Sequence, residues 1–133
     1  MAVSYFIDSS FIIALANRNE LFHPKALKIS QEISGCQFLV DQLVVFESVN
    51  VTLRKWGLKA AKQLVNWFNE NTVVVDITDN IWQSAFKQIT TSFTFDGPNV
   101  FDFIHFACLK TYSLNHVLTF DQHFSQFGFT VNQ

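Results

Sequence analysis

Short apolar runs alternate along this chain with longer segments whose apolar residues recur at helical spacing. That alternation predicts an α/β domain with a mainly parallel sheet of four or five strands under a cover of helices. Val3–Ile7 reads as a first strand, and Asp8-Ser9-Ser10 as the turn that caps a helix opening at Phe11–Ala16. Pro24 suits the first turn of a second helix, which runs to about Ser34 and stops at Gly35. Gln37–Val40 is a second strand, and Asp41 can cap a helix over Leu43–Trp56. Gly57 breaks the pattern, and a further helix covers Leu58–Asn69. Val73–Ile77 is a third strand, and Thr78 or Asp79 caps a helix through about Ile89. Thr90–Pro98 reads as a polar loop, Val100–Tyr112 as a helix, His116–Phe120 as a fourth strand and Phe129–Val131 as a short fifth. No linker, repeat or low-complexity tract interrupts the series, so residues 1–133 are expected to form one domain.

Open parallel sheets bind ligands beyond the carboxyl ends of their strands, where the strand order reverses. Four acids are placed to reach that position. Asp8 and Asp121 each end a strand, Asp102 lies in the first turn of the last long helix, and Glu47 lies early in the helix after strand two. Glu47 is also isolated among the apolar Val44, Val45, Phe46 and Val49. Each acid has an ordinary reading: a helix cap for Asp8, a dipole-favoured first-turn acid for Asp102, a solvated position for Glu47, a turn former for Asp121. Those readings must all hold together to dismiss the set. Four converging carboxylates repel unless some are protonated or a cation sits among them. Mg²⁺ or Mn²⁺ suits oxygen ligands, polarises a phosphodiester and acidifies water.

Composition modifies this picture little. Hydrophobic residues make up 49% of the chain, enough for a substantial core. The sixteen phenylalanines leave a surplus for a partner surface, chiefly in Phe93–Phe106 and Phe120–Phe129. Cys36 and Cys108 form no metal-binding spacing and read as small apolar residues of a reducing compartment. No basic leader and no apolar run of about 18 residues appears, so the cytoplasm is expected and a membrane is not. The net charge of −2 is a weak recommendation for a nucleic-acid binder, but four metal-neutralised acids would leave nine basic side chains against seven acidic ones. Arg54, Lys55, Lys59 and Lys62 form the main basic concentration, able to steer a phosphate backbone with Trp56 available for stacking, or to serve as a solvated helix face. Arg18 is a lone candidate for the same work.

The stretches F-I-D-S-S-F-I-I-A-L, F-E-S-V-N, V-F-D-F-I-H-F-A and V-L-T-F-D-Q-H-F, in that order, resemble the PIN-domain family and its VapC-type ribonuclease toxins. The resemblance spans nearly the whole chain. It implies a three-layer α/β/α sandwich and Mg²⁺- or Mn²⁺-dependent endoribonuclease activity on RNA. It also implies frequent homodimerisation and a separately encoded antitoxin. Carried over residue by residue, it makes Asp8, Glu47, Asp102 and Asp121 the catalytic metal ligands. Ser9, Ser10 and Thr119 become supports for those carboxylates. The chain departs from the family pattern at Phe103, where a small residue is more usual. It departs again at Asp41, where a small or hydroxyl residue is common. Asp41 reads as a helix cap and is the main rival ligand. Asp76 is set aside because its strand should lie toward the sheet edge, and Asp79 and Asp96 read as cap and turn.

His123, two residues past Asp121, reads as a turn-surface histidine within reach of a phosphate or of the metal's water. His105, one turn past Asp102, is a polar wall of the site, and His23 and His116 look structural or exposed. The alternative function is an inactive PIN-like module that binds RNA or protein; the presence of all four acids speaks against it. A haloacid-dehalogenase-like phosphatase wants a second aspartate where Ser10 stands, and a phosphorelay receiver wants an early acidic pair that is missing. No glycine-rich phosphate loop is present, so nucleoside-triphosphate hydrolysis is unsupported.

Overall fold

The structure, a computed structural model, describes residues 3–132. Its five strands are β1 (Ser4–Ile7), β2 (Gln37–Asp41), β3 (Val73–Val75), β4 (His116–Leu118) and β5 (Thr130–Val131). They form one sheet in the order β3-β2-β1-β4-β5, every pairing parallel. The seven helices are α1 (Ser9–Ala16), α2 (His23–Glu32), α3 (Gln42–Trp56), α4 (Leu58–Asn71), α5 (Asp79–Ser92), α6 (Val100–Thr111) and α7 (His123–Gln126). α1 packs on α2 and α3, α3 packs on α4, and α5 packs on α6. Right-handed crossovers put the first group on one face of the sheet and the second on the other. The result is the expected three-layer α/β/α arrangement.

A central parallel strand is covered on both faces, so it must be apolar throughout. β1 meets that demand with Tyr5, Phe6 and Ile7, all buried. Phe6, Phe11, Phe68, Phe103, Phe106 and Phe124 are fully enclosed, and each buried ring contributes about 1.5–3 kcal/mol. Phe103 is fully buried in the main core. Cys108 is buried and Cys36 half-buried, both as free thiols. β3 is an edge strand, which leaves Asp76 at the sheet's margin.

Several boundaries differ from expectation. α5 continues to Ser92, three residues into the expected loop, and β3 stops at Val75. β4 ends at Leu118, so Asp121 sits three residues beyond the strand rather than directly on its end. The short α7, which follows, was not expected from the pattern.

The sheet runs from β1 to β3 in one direction and resumes with β4 on the other side of β1. The order therefore reverses between β1 and β4, and the crevice beyond their carboxyl ends is the natural ligand position. The Asp8 amide donates to the Leu118 carbonyl at 2.9 Å, which joins the two strand ends at that point.

Candidate active site

Asp8 leaves β1 and caps α1. Its Oδ2 accepts from the Ser10 hydroxyl at 2.8 Å, the Thr119 hydroxyl at 2.9 Å and the Ser10 amide at 3.4 Å. The Thr119 hydroxyl also accepts from the Asp121 amide at 2.9 Å, and the Ser10 hydroxyl from the Phe120 amide at 3.0 Å. Two small hydroxyls thus tie the turn after β1 to the turn after β4. Asn132 holds the second turn from outside: its side-chain oxygen accepts from the Thr119 amide at 2.9 Å, and its nitrogen donates to the Thr119 carbonyl at 2.8 Å. Ser9, expected to assist, has no hydrogen-bond partner for its hydroxyl among the described residues.

Asp102 is the third residue of α6. Its Oδ2 accepts from the Asn99 amide while the Asn99 side chain accepts from the Asp102 amide, both at 3.0 Å. This reciprocal cap fixes the carboxylate at the helix start. Burial, with Asp121 and Asp8 adding negative charge, pushes its pKa up to about 6 against the Asn99 hydrogen bond. Burial raises the pKa of Asp8 too, opposed by His105 and the two hydroxyls and reinforced by Glu47. These acids share one electrostatic neighbourhood.

Asp102, Asp121 and His123 each bring one ligand atom within 4.8 Å of the others. The His123 Nδ1 is buried and lies 2.8 Å from Asp121 Oδ1, yet it is out of line for a hydrogen bond and has no other partner. A cation among these groups would satisfy that nitrogen and offset the carboxylates, so the donor set fits a divalent ion. Asp8 and Glu47 stand outside this tight trio. His123, read from sequence chiefly as a surface residue, is part of it.

Glu47 and Asp41 meet through His105. The His105 Nδ1 lies 2.6 Å from Asp41 Oδ2, and its Nε2 lies 3.0 Å from Glu47 Oε1. Asp41 Oδ1 accepts from the Val44 amide at 2.9 Å, which caps α3. Asp41, the rival ligand the sequence left open, is wholly buried with both oxygens engaged in hydrogen bonds. Burial alone would lower the His105 pKa, but the Asp41 charge and the two hydrogen bonds raise it well above the ordinary value.

The crevice leaves the Asp121 and Glu47 side chains 28% and 33% exposed. A separate cavity of about 280 Å³ between α1, α3 and α4, reaching Thr52 and Trp67, contains none of the acids. Arg54, Lys55, Lys59 and Lys62 are exposed on α3 and α4. Lys55 is 3.6 Å from Glu20, and its ammonium lies over the Trp56 ring at 5.5 Å, so that ring is already in use. His23 bonds the Ala14 carbonyl through Nδ1 at 2.8 Å, a structural role.

Sequence reading missed Asn99, Asn132 and the part His105 plays. The N-x-x-D spacing of Asn99 and Asp102 was a usable capping signal. Asn132 gave none beyond the tolerance of asparagine for its left-handed backbone, φ 58°.

A family model described as the PIN domain matches residues 5–130. No curated protein matches the sequence. Among solved structures, VapC20 of Mycobacterium tuberculosis, a sarcin–ricin loop cleaving toxin, has a TM-score of 0.84 at 22% identity over 95% of this chain and 96% of that one. FitAcB of Neisseria gonorrhoeae has a TM-score of 0.70 at 12% identity, over 96% and 95%. A DNA-bound VapBC of Salmonella typhimurium has a TM-score of 0.68 at 11% identity, over 97% and 96%. At such identities the likeness is one of fold.

Proposed function

The chain belongs to the PIN-domain family, and on that premise we propose that it is a metal-dependent endoribonuclease, the toxin of a toxin–antitoxin pair. The observation that carries the reading is the gathering of Asp102 and Asp121 beside a buried His123 nitrogen without a hydrogen bond, where the strand order reverses and where Asp8 is close enough for its charge to act on Asp102. Glu47 reaches the same group from α3, close enough for its charge to act on Asp8.

Asp8, Glu47, Asp102 and Asp121 hold the ion in this reading, Mg²⁺ or Mn²⁺ by the hardness of the donors. When bound, the ion supplies Lewis acidity to the phosphodiester and acidifies the attacking water. Ser10 and Thr119 keep one Asp8 oxygen turned inward, so the other is left for the ion. The Asn99 cap does the same for Asp102. Hydrolysis by water needs no covalent protein intermediate, and among the described residues no serine or cysteine is paired with a histidine. Arg54, Lys55 and Lys59 steer the RNA backbone from α3 and α4. The half-exposed Trp82 and Phe86 on α5, and the fully exposed Phe95, supply apolar surface for an antitoxin or a second copy.

The test is cleavage of a mixed pool of labelled RNAs, with a sarcin–ricin-loop hairpin as one arm, in Mn²⁺, Mg²⁺ or chelator. Wild type is expected to cut only with metal, and Asp8→Asn to lose at least about 100-fold in rate, on the scale of removing one charge-stabilising group. No cleavage by folded, inhibitor-free protein under any of these conditions would instead favour the inactive binding module.

A further inference from the structure

We propose that His105 is a positioning residue for the reaction: it sets the place of the Glu47 carboxylate, with Asp41 as its anchor. The inference rests on the nuclease reading above and adds to it the means by which one acid is aimed.

His105 is buried, and each ring nitrogen faces a carboxylate oxygen, at 2.6 Å on the Asp41 side and 3.0 Å on the Glu47 side. Carboxylates accept, so both nitrogens donate. The ring cannot turn to other partners. Phe6 and Phe124 lie beside it with centroids at 5.8 Å and 6.5 Å, and neither offers a polar atom. Asp41 cannot move either, because its second oxygen caps α3 through Val44 and it is fully enclosed. The fixed chain therefore runs from the α3 cap through the α6 histidine and back to α3 at Glu47.

Glu47 is the long, partly exposed member of the acid set, with three side-chain rotors. Its Oε1 is taken by His105, and its Oε2 has no hydrogen-bond partner among the described residues. One oxygen is pinned and the other is left for a ligand. Partners behind a metal-binding carboxylate work in this way, orienting it and lowering its freedom. A histidine that only joined α3 to α6 would need no bond to a half-exposed acid.

Asparagine and glutamine separate the two bonds. Asparagine places its amide near the Nδ1 position and glutamine near Nε2. His105→Asn is therefore expected to keep the Asp41 contact and lose Glu47, raising the Mn²⁺ dissociation constant about 10- to 100-fold by titration calorimetry. His105→Gln is expected to recover much of that loss. In a Glu47→Gln background His105→Asn should add little, because the two act through one carboxylate. RNA cleavage by the same proteins should follow the same order.

If wild type binds Mn²⁺ and cuts RNA while His105→Asn lowers only the melting temperature, the positioning role is overturned and the nuclease stands. If wild type neither binds nor cuts, the nuclease reading and this inference both fall. Should His105→Asn not fold, the ¹⁵N signals of the wild-type His105 ring decide during Mg²⁺ titration. A shift at Nε2 that Glu47→Gln abolishes supports the role, and a ring indifferent to Mg²⁺ overturns it.

Discussion

Asp102 carries an electrostatic cost in the folded chain at neutral pH. Its pKa is raised to about 6 by burial and by the charges of Asp121 and Asp8, whereas an unfolded aspartate titrates near about 3.9. Folding therefore takes up a proton between about pH 4 and pH 6. Stability from this group is greatest below that window and falls as pH rises through it. Asp8, also raised by burial, acts in the same sense. So does His105, whose raised pKa favours the fold below about 6.5 and less so as pH climbs. In chelator, unfolding by urea should show the protein more stable at pH 5 than at pH 7.5. Asp102→Asn should remove about 1–2 kcal/mol of that difference. Saturating Mg²⁺ should restore stability at pH 7.5 in wild type more than in the variant, since it binds the ionised form. A wild-type profile that rises from pH 5 to 7.5 in chelator would contradict this account.

Among the elements, α3 and α4 show how a single residue divides one apolar pattern into two helices. Gly57 has φ 93° and ψ −179°, a conformation almost restricted to glycine. A Cβ there would meet nothing within 4 Å, so the strain of Gly57→Ala is all backbone. It should destabilise the protein by about 1–3 kcal/mol in urea unfolding. Mn²⁺ affinity should stay unchanged, because Gly57 is about 15 Å along α3 from Glu47. An affinity loss equal to the stability loss would mean the α3–α4 corner is coupled to the site. This break, like most helices and the central strands, was legible because apolar spacing and glycine act locally. α7 was not, since four residues are too short to display a period. The early end of β4 was hidden for another reason. The Thr119 amide and carbonyl are claimed by the Asn132 side chain, thirteen residues away, in place of a strand neighbour. Asp8, Asp102 and Asp121 were legible as candidates because each follows a strand or opens a helix, and Glu47, inside α3, because it stands isolated among apolar neighbours. The Asp41–His105–Glu47 chain was not, because its members lie 64 and 58 residues apart and meet only in the folded core.

Across the whole molecule, charge is distributed against easy RNA binding. The net charge is −2, and the acids proposed to do the chemistry are near enough for their charges to act on one another. A phosphate backbone approaching that crevice would be repelled unless a divalent ion offset part of the carboxylate charge. The basic side chains lie elsewhere: Arg54 is seven residues past Glu47, about 10 Å further along α3, and Lys59 stands just past the glycine corner. Arg54 is braced by Asn50 at 3.3 Å and Lys55 by Glu20 at 3.6 Å, whereas Lys59 has no ion-pair partner among the described residues. An RNA held at both places must span them, so the basic group should contribute affinity without setting the scissile bond. This separation can be measured in the Asp8→Asn background with Mg²⁺ present. Arg54→Ala with Lys59→Ala should weaken RNA binding several-fold and reduce the dependence of log affinity on log salt by about one to two. In the wild-type background the same pair should lower cleavage at limiting RNA but leave the cleaved positions as they are. An unchanged salt slope would make these residues a solvated helix face, and the path of the RNA would then have to avoid the α3–α4 corner.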